Sequence, residues 1–358
     1  MENKEKKEKT AADVKSKVLW SVLFLAIVGV TIWTITYQND AFSFEVFLRY
    51  LKGTSPGWLA AAVLCAFGFV FFEAGAIRAS CRILGYSHNH RSGMVYAAAD
   101  IYFSAITPSA SGGQPVCAWF MMKDGIPGTV TAAALVANLM MYSFAILLIG
   151  LVVFALAFPI FMGMSVFAKV LILGGYLVQV LLAVLFLLLI KDEKLVSGIS
   201  LSVIGFLGTR KLLRHAEEKK EKTRQKMEEY AACAVLFQKN KAGMLKVFFW
   251  NLLQRISYIC VTMFAFLAAG GTLKSALPIW AVQGYSVIGS NCVPIPGAVG
   301  AADYLMLDGF KLFMSAQKAA NLELLSRSLS FYFCMIFCGC LVLVSYLVRK
   351  RRNYVRYL

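Results

Sequence analysis

The chain has 358 residues, 59% of them hydrophobic, and a mean hydropathy of +0.68. A soluble domain of this size could not cover so much apolar surface, so the surrounding solvent is lipid. A net charge of +17 raises nucleic acid as a partner. The basic residues, however, crowd at 4–17, 78–91, 191–246 and 349–356, each beside an apolar run. That is the positive-inside pattern of a membrane protein, with some attraction to anionic lipid, and not a nucleic-acid face.

Residues 18–37 carry no charge and follow a Lys-rich tail, 1–17. The run is long enough to span and lacks a small-x-small cleavage site, so it reads as a first span leaving a cytoplasmic N-terminus. Residues 40–56 form a short outer loop with balanced charge. Residues 57–79 return, ending among Arg78, Arg82 and Arg91. Residues 125–168 are charge-free and break at Pro159-Ile-Phe-Met-Gly163, which predicts one span to about 158 and another from about 166 to 190. The stretch 191–246 holds 13 Lys/Arg against 7 Asp/Glu and must be cytoplasmic. Residues 248–269 exit again, and 328–348 return to the basic tail at 349–358.

Two Pro/Gly-rich turns interrupt apolar segments: Thr107-Pro-Ser-Ala-Ser-Gly-Gly-Gln-Pro115 and Asn291-Cys-Val-Pro-Ile-Pro-Gly-Ala-Val-Gly300. Lipid cannot satisfy non-helical backbone, so such turns survive only inside protein or along a wet cavity. Charge parity puts the chain near Arg91 and near Lys123 on the same, cytoplasmic side. Residues 92–122 therefore enter and leave by one face. Their halves, about 22 and 12 Å as helix, are each shorter than a hydrocarbon core of about 30 Å. This is a re-entrant hairpin from inside. By the same parity, 277–325 is a hairpin from outside, with its turn at 294–300. The expected fold is an all-α polytopic membrane protein of six spans and two opposed re-entrant hairpins. One domain at 18–348 would hold an inverted repeat of halves 57–158 and 247–348, joined through the cytoplasmic connector 191–246. Tyr102 and Tyr285, each preceding a Pro/Gly turn, are the thin sequence support. A Pro-kinked ordinary helix is the alternative.

Ionisable groups in apolar segments are expensive and normally face a cavity or a partner. Glu73, Arg78, Asp100, Arg255 and Asp303 qualify. Arg78 could also snorkel to the interface. Asn251 precedes Arg255 by one turn. Asp100, Arg255 and Asp303 are expected to share an interior cavity. At the turns, helix ends aimed inward suit a phosphate. Thr107, Ser109, Ser111, Gln114 and Asn291 add neutral hydrogen bonds, although hydroxyls at turns are also ordinary caps. Gly112, Gly113, Gly297 and Gly300 allow close backbone approach, and Pro294 and Pro296 fix the second turn. The nine cysteines lie mostly within apolar runs, and Cys334, Cys338 and Cys340 have no His or carboxylate beside them, so packing is the preferred reading. His88, His90 and His215 lie in basic loops. No nucleotide loop, zinc motif or Ser/His/Asp set is present, and no cofactor is implied.

Three pieces carry a family resemblance: Glu73-x4-Arg78-x3-Arg82-x2-Gly85, the 107–114 turn, and Pro294-Ile-Pro-Gly-Ala-Val-Gly-Ala-Ala-Asp303. Together they make most of the chain, roughly 51–349, resemble the lysylphosphatidylglycerol synthase transmembrane family, the flippase-like part of the multiple peptide resistance factor. Ala298 replaces a family Gly and Asp303 the usual Glu. Gln114 stands where many relatives carry an acid. The resemblance implies a flippase that moves lysyl-phosphatidylglycerol, or a related aminoacyl or anionic lipid, from inner to outer leaflet of a bacterial plasma membrane. It also implies a role in resistance to antimicrobial peptides. In full-length relatives a cytosolic C-terminal domain transfers lysine from lysyl-tRNA. Here only ten residues follow the last predicted span, so the expectation is a translocase without that domain. A polyprenyl-phosphate or glycolipid translocase is a second reading. A third is a membrane partner subunit that docks a separate synthase through 191–246, or a homo-oligomer. An enzyme using Asp100 as a base is a further class, against which the lack of a nucleophile or metal set counts.

Overall fold

The computed structural model describes residues 52–107, 110–191, 216–291 and 293–355, with side chains described except at 216–223, 226 and beyond 349. The predicted span 18–37 and the residues Pro108, Ser109, His215 and Cys292 lie outside this set. Among the described residues every regular element is helical. Five segments are long and apolar enough to cross a membrane. In chain order they are α1 (Pro56–Ile83), α4 (Gly128–Gly163), α5 (Val166–Lys191), α7 (Lys241–Ala268) and the run Ala316–Arg349. Between them stand α2 (His90–Ile106), α3 (Gly113–Lys123), α6 (Ala216–Lys239), α8 (Leu273–Ser290) and α9 (Ala301–Phe310). The run from Ala316 consists of α10 (Ala316–Arg327), a π-helical turn at Ser328–Phe333 and α11 (Cys334–Val355).

The ends of these helices follow from their caps. Pro56 opens α1, where its missing N–H costs nothing. Asn89 and Asn240 accept from Ser92 N and Gly243 N, each at 2.8 Å, and start α2 and α7. Ser55 N donates to Ala268 O, and Gly243 lies against Ile83. The start of α1 therefore meets the end of α7, and the reverse, so the two run antiparallel. Their interface uses small residues, as close helix packing in lipid requires. An ideal Cβ on Gly75 would lie 2.6 Å from the Trp250 ring, and one on Gly68 would lie 2.9 Å from Ser257 Oγ.

Three boundaries differ from the sequence reading. The predicted break at 159–163 is instead a kink. The helix continues to Gly163, with Ala157 bent to φ −133°, ψ 27°. Pro159 lacks an N–H, and at the bend just before it the buried Tyr285 hydroxyl donates to Val153 O at 3.3 Å and Ala157 O at 3.1 Å. Lipid cannot do this, but a neighbouring helix can. The seventh helix starts at Lys241, not 248, because Asn240 caps it there. The last span starts at Ala316, not 328, because the π-turn carries the helix through Ser328–Phe333 without a stop.

A core of Ile146, Ile149, Val153, Ile172, Ile259, Tyr285, Ile288 and Leu305 joins α4, α5, α7, α8 and α9. The outer side of α5 is apolar, with Leu173, Leu177 and Leu181 exposed, as suits contact with acyl chains. Its C-terminal carbonyls are not orphaned. Tyr230 and Gln238 of α6 donate to Leu189 O and Ile190 O, at 3.3 and 2.8 Å. On the inner side, α5 meets α8 backbone to backbone. A Cβ on Gly175 would lie 2.3 Å from Ile288 O. No side-chain rotation relieves such a contact. Gly175→Ala is expected to cost about 1–3 kcal/mol, measured as a lower melting temperature in detergent, while Gly174→Ala, which faces open space, leaves it unchanged.

Candidate functional site

The two Pro/Gly turns come together at one cavity of about 500 Å³. Its wall takes Glu73 from α1, Asp100 and Ser104 from α2, Ser111 and Gln114 from the first turn and α3, and Asn138, Tyr142 and Ser143 from α4. It takes Gln179 from α5, Gln254 and Arg255 from α7, Ser290 and Asn291 at the end of α8, and Gly297 and Ala298 from the second turn. Arg327, Ser330 and Phe331 close it from the last span. Side chains from apolar helices thus assemble a polar interior holding two carboxylates and two guanidiniums.

The acidic end is built on α1 and the first hairpin. Asp100 Oδ1 accepts from Gln114 Nε2 at 3.0 Å, which joins α2 to α3 across the turn. Gln114 Oε1 is left without a protein partner. Gly113 makes this approach feasible, since a Cβ there would lie 2.3 Å from the Asp100 carboxylate and 2.6 Å from its carbonyl oxygen. Glu73 is 4% exposed. It accepts from Asn138 Nδ2 at 3.2 Å, and Asn251 Nδ2 donates to Asn138 Oδ1 at 2.9 Å. This amide chain fixes the Glu73 carboxylate without supplying a positive charge. Buried polar groups held this way specify one arrangement of the helices.

Arg255 faces these acids. Its guanidinium lies 4.6 Å from the Tyr142 ring centre, 5.4 Å from Phe69 and 5.6 Å from Tyr258. Nε donates to Gln254 Oε1 at 2.8 Å. Ring faces stabilise a cation while leaving guanidinium edges able to bind an oxyanion. Tyr142 OH in turn donates to Asn291 Oδ1 at 2.8 Å, and Asn291 Nδ2 donates to Gln179 Oε1 at 2.9 Å.

At the second turn Arg327 is the organising side chain. It is 4% exposed, pairs through Nε with Asp303 Oδ1 at 2.7 Å, donates from Nη2 to Gly297 O at 3.3 Å, and stacks on Phe331 at 4.6 Å. Gly297 sits at φ +60°, where a Cβ would also strike the Phe331 ring at 2.3 Å. Asp303 Oδ2 accepts Gly300 N at 2.8 Å and so closes the N-terminus of α9.

Of the residues expected from the sequence, Glu73, Asp100, Ser111, Gln114, Arg255, Asn291 and Gly297 line the cavity. Asp303 stands one side chain behind it, held by Arg327 and by its own capping bond. Asn251 supports Asn138 from outside the wall. Thr107 is a local cap: its Oγ1 donates to Phe103 O at 2.6 Å and accepts Gly112 N at 2.8 Å. Gly112 and Gly113 pack the first hairpin, and Pro294, Pro296 and Gly300 shape the second turn. Arg78 lies away from the cavity. Its Nε donates to His88 O at 3.1 Å and Nη1 meets His90 Nδ1 at 2.7 Å, so its charge secures the loop between α1 and α2. Ser109 lies outside the described residues.

Among the cavity residues that escaped the sequence reading are Asn138, Gln179, Gln254 and Arg327. The first two are lone amides in apolar runs, a readable signal. Arg327 lies one residue outside the predicted last span, 328–348, and was not singled out.

The family model described as the lysylphosphatidylglycerol synthase TM region matches residues 18–338. No curated protein and no solved structure gives a match. The match covers both turns, the cavity and the apolar helices that frame it, and the chain is a multi-pass membrane protein belonging to the lysylphosphatidylglycerol synthase transmembrane family.

Proposed function

We propose that the protein is a lipid flippase of a bacterial plasma membrane, moving lysyl-phosphatidylglycerol or a related aminoacyl lipid from inner to outer leaflet. The observation that carries this reading is the cavity itself, where Glu73 and Asp100 face the ring-bound Arg255. An aminoacyl phospholipid headgroup presents an ammonium and a phosphate a few bonds apart. Carboxylates suit the first and a guanidinium the second. The acyl chains stay in lipid, beside the apolar face of α5.

The proposed frame is six spans with 18–37 as the first, both termini and 191–246 cytoplasmic, and two opposed re-entrant hairpins in an inverted repeat within 18–348. Helix lengths support the repeat. Helices α1 and α7 have 28 residues each, α2 and α8 have 17 and 18, and α3 and α9 have 11 and 10. The packing partners support it too. Arm α2 lies on α1 and on α11, as arm α8 lies on α7 and on α4. Tyr102 rests on Gly339 of α11, as Tyr285 donates to Val153 O of α4. Arms α2 and α3 are about 26 and 17 Å long at 1.5 Å per residue, too short to span. Tilting of each hairpin would open one end of the cavity at a time.

Reconstitution in liposomes with a fluorescent aminoacyl phosphatidylglycerol tests the reading. Time-dependent exchange of label between leaflets is expected. Failure to move lipid, together with co-purification of a synthase, would favour the partner-subunit reading. For topology, Lys123→Cys is expected to react with an impermeant thiol reagent only from the cytoplasmic side.

A further inference from the structure

Away from their tips, the two hairpins are each fastened to a neighbouring span, and the fastenings differ in chemistry. Asp124 follows the last residue of α3. Its two carboxylate oxygens take the two guanidinium nitrogens of Arg349, with Nη2 to Oδ2 at 3.0 Å and Nη1 against Oδ1. Tyr96 of α2 donates to the same Oδ2 at 2.6 Å. Arg349 also lies over the Phe120 ring of α3 at 5.3 Å and donates from Nε to Ser345 Oγ at 3.2 Å. One carboxylate therefore ties both arms of the first hairpin to the end of the last span. In the second hairpin Asp308 occupies the matching place near the end of α9. It accepts Ser165 N at 2.9 Å, while Tyr304 OH pairs with Ser165 Oγ at 2.8 Å. Ser165 lies at the junction of α4 and α5, the counterpart of the end of the last span.

We propose that Asp124 and Arg349 form an ionic latch at the base of the first hairpin that must open for that end of the cavity to open. Its counterpart at Asp308 is fastened by neutral donors. The inference rests on the flippase reading and adds its gate. A bidentate guanidinium–carboxylate contact is stronger than a neutral hydrogen bond. With side chains 27% and 20% exposed, this one is still reached by salt. The two ends therefore open against unlike restraints, and only the first is released by ionic strength.

The test is the rate at which an impermeant thiol reagent labels a cysteine placed in the cavity at the first turn, Ser111→Cys, in reconstituted vesicles. The same protein without the added cysteine gives the background. Arg349→Gln and Asp124→Asn are each expected to speed labelling about tenfold, with Arg349→Lys between them and the parent. The double variant should gain no more than either single one, because both remove the same contact. For the parent latch, about 1 M salt, where the screening length is about 3 Å, should speed labelling likewise, and the double variant should not respond. The salt experiment needs no latch substitution, so it holds even where a variant folds poorly. Labelling that is indifferent to salt, or additive effects of the two substitutions, would overturn the latch. Lipid movement in the same vesicles separates the two claims. Salt-sensitive labelling without lipid movement keeps the latch and rejects the transporter. Movement with labelling that no variant or salt alters does the reverse.

Discussion

Replacing Arg327 by Met is expected to destabilise the protein by about 3–5 kcal/mol, the cost of removing one partner from a buried ion pair. The side chain is 4% exposed and holds Asp303, the Gly297 carbonyl and the Phe331 ring at once. Without it the Asp303 carboxylate keeps its place on Gly300 N but loses that counter-ion, with Glu323 close by. The second turn then loses its attachment to the last span. The measurement is the melting temperature in detergent, with limited proteolysis expected to cut first within 293–300. A second substitution, Asp303→Asn, removes the stranded charge and can still accept Gly300 N. It should therefore raise the melting temperature of the Arg327→Met protein while lowering that of the parent. Parent-like melting of Arg327→Met would mean that the turn is held by something else.

Asp100→Asn is expected to slow movement of an aminoacyl lipid roughly 10- to 100-fold, the loss of one charge-assisted hydrogen bond in the site. Asparagine can still accept from Gln114 Nε2, so melting should stay close to the parent's. Glu73→Gln should act in the same way, since glutamine Oε1 can accept from Asn138. Phosphatidylglycerol without an aminoacyl group should feel neither change, because it presents no ammonium. Equal slowing of both lipids would assign the acids to structure. Unchanged rates in both variants would remove them from the mechanism.

The class and most helices were legible in the sequence because lipid imposes a length and a composition. The apolar runs at 57–79, 166–190 and 248–269 could be little else. Pro159 misled because a proline read alone predicts a stop. The helix instead bends at Ala157 and runs on to Gly163, with the Ala157 carbonyl accepting from the Tyr285 hydroxyl, 128 residues away along the chain. Asp100 and Arg255 were readable for the reason Asp303 was: charge in an apolar segment is costly. Where such a charge ends up was not readable. Asp100 reaches the cavity, while Asp303 is drawn aside by Arg327, a partner the sequence gives no reason to pair with it. Arg78 illustrates the opposite failure. It matches the family motif by position, yet its work is to hold a loop.

The wide turn at Ser328–Phe333 sets the phase of the last span. A π turn takes up about one more residue than an α turn, so everything after it is rotated back by roughly 100°. Arg327, Ser330, Phe331 and Cys334 all line the cavity, at the i, i+3, i+4 and i+7 spacing of one helix face. The wide turn lies within this inner strip, at the level of the second turn. An inserted residue in an ancestral helix would be enough to create it. Deleting one residue here would leave the helix intact and its hydropathy unchanged, yet point Arg327 away from Asp303. The segment is thus sensitive to length where it is tolerant of composition.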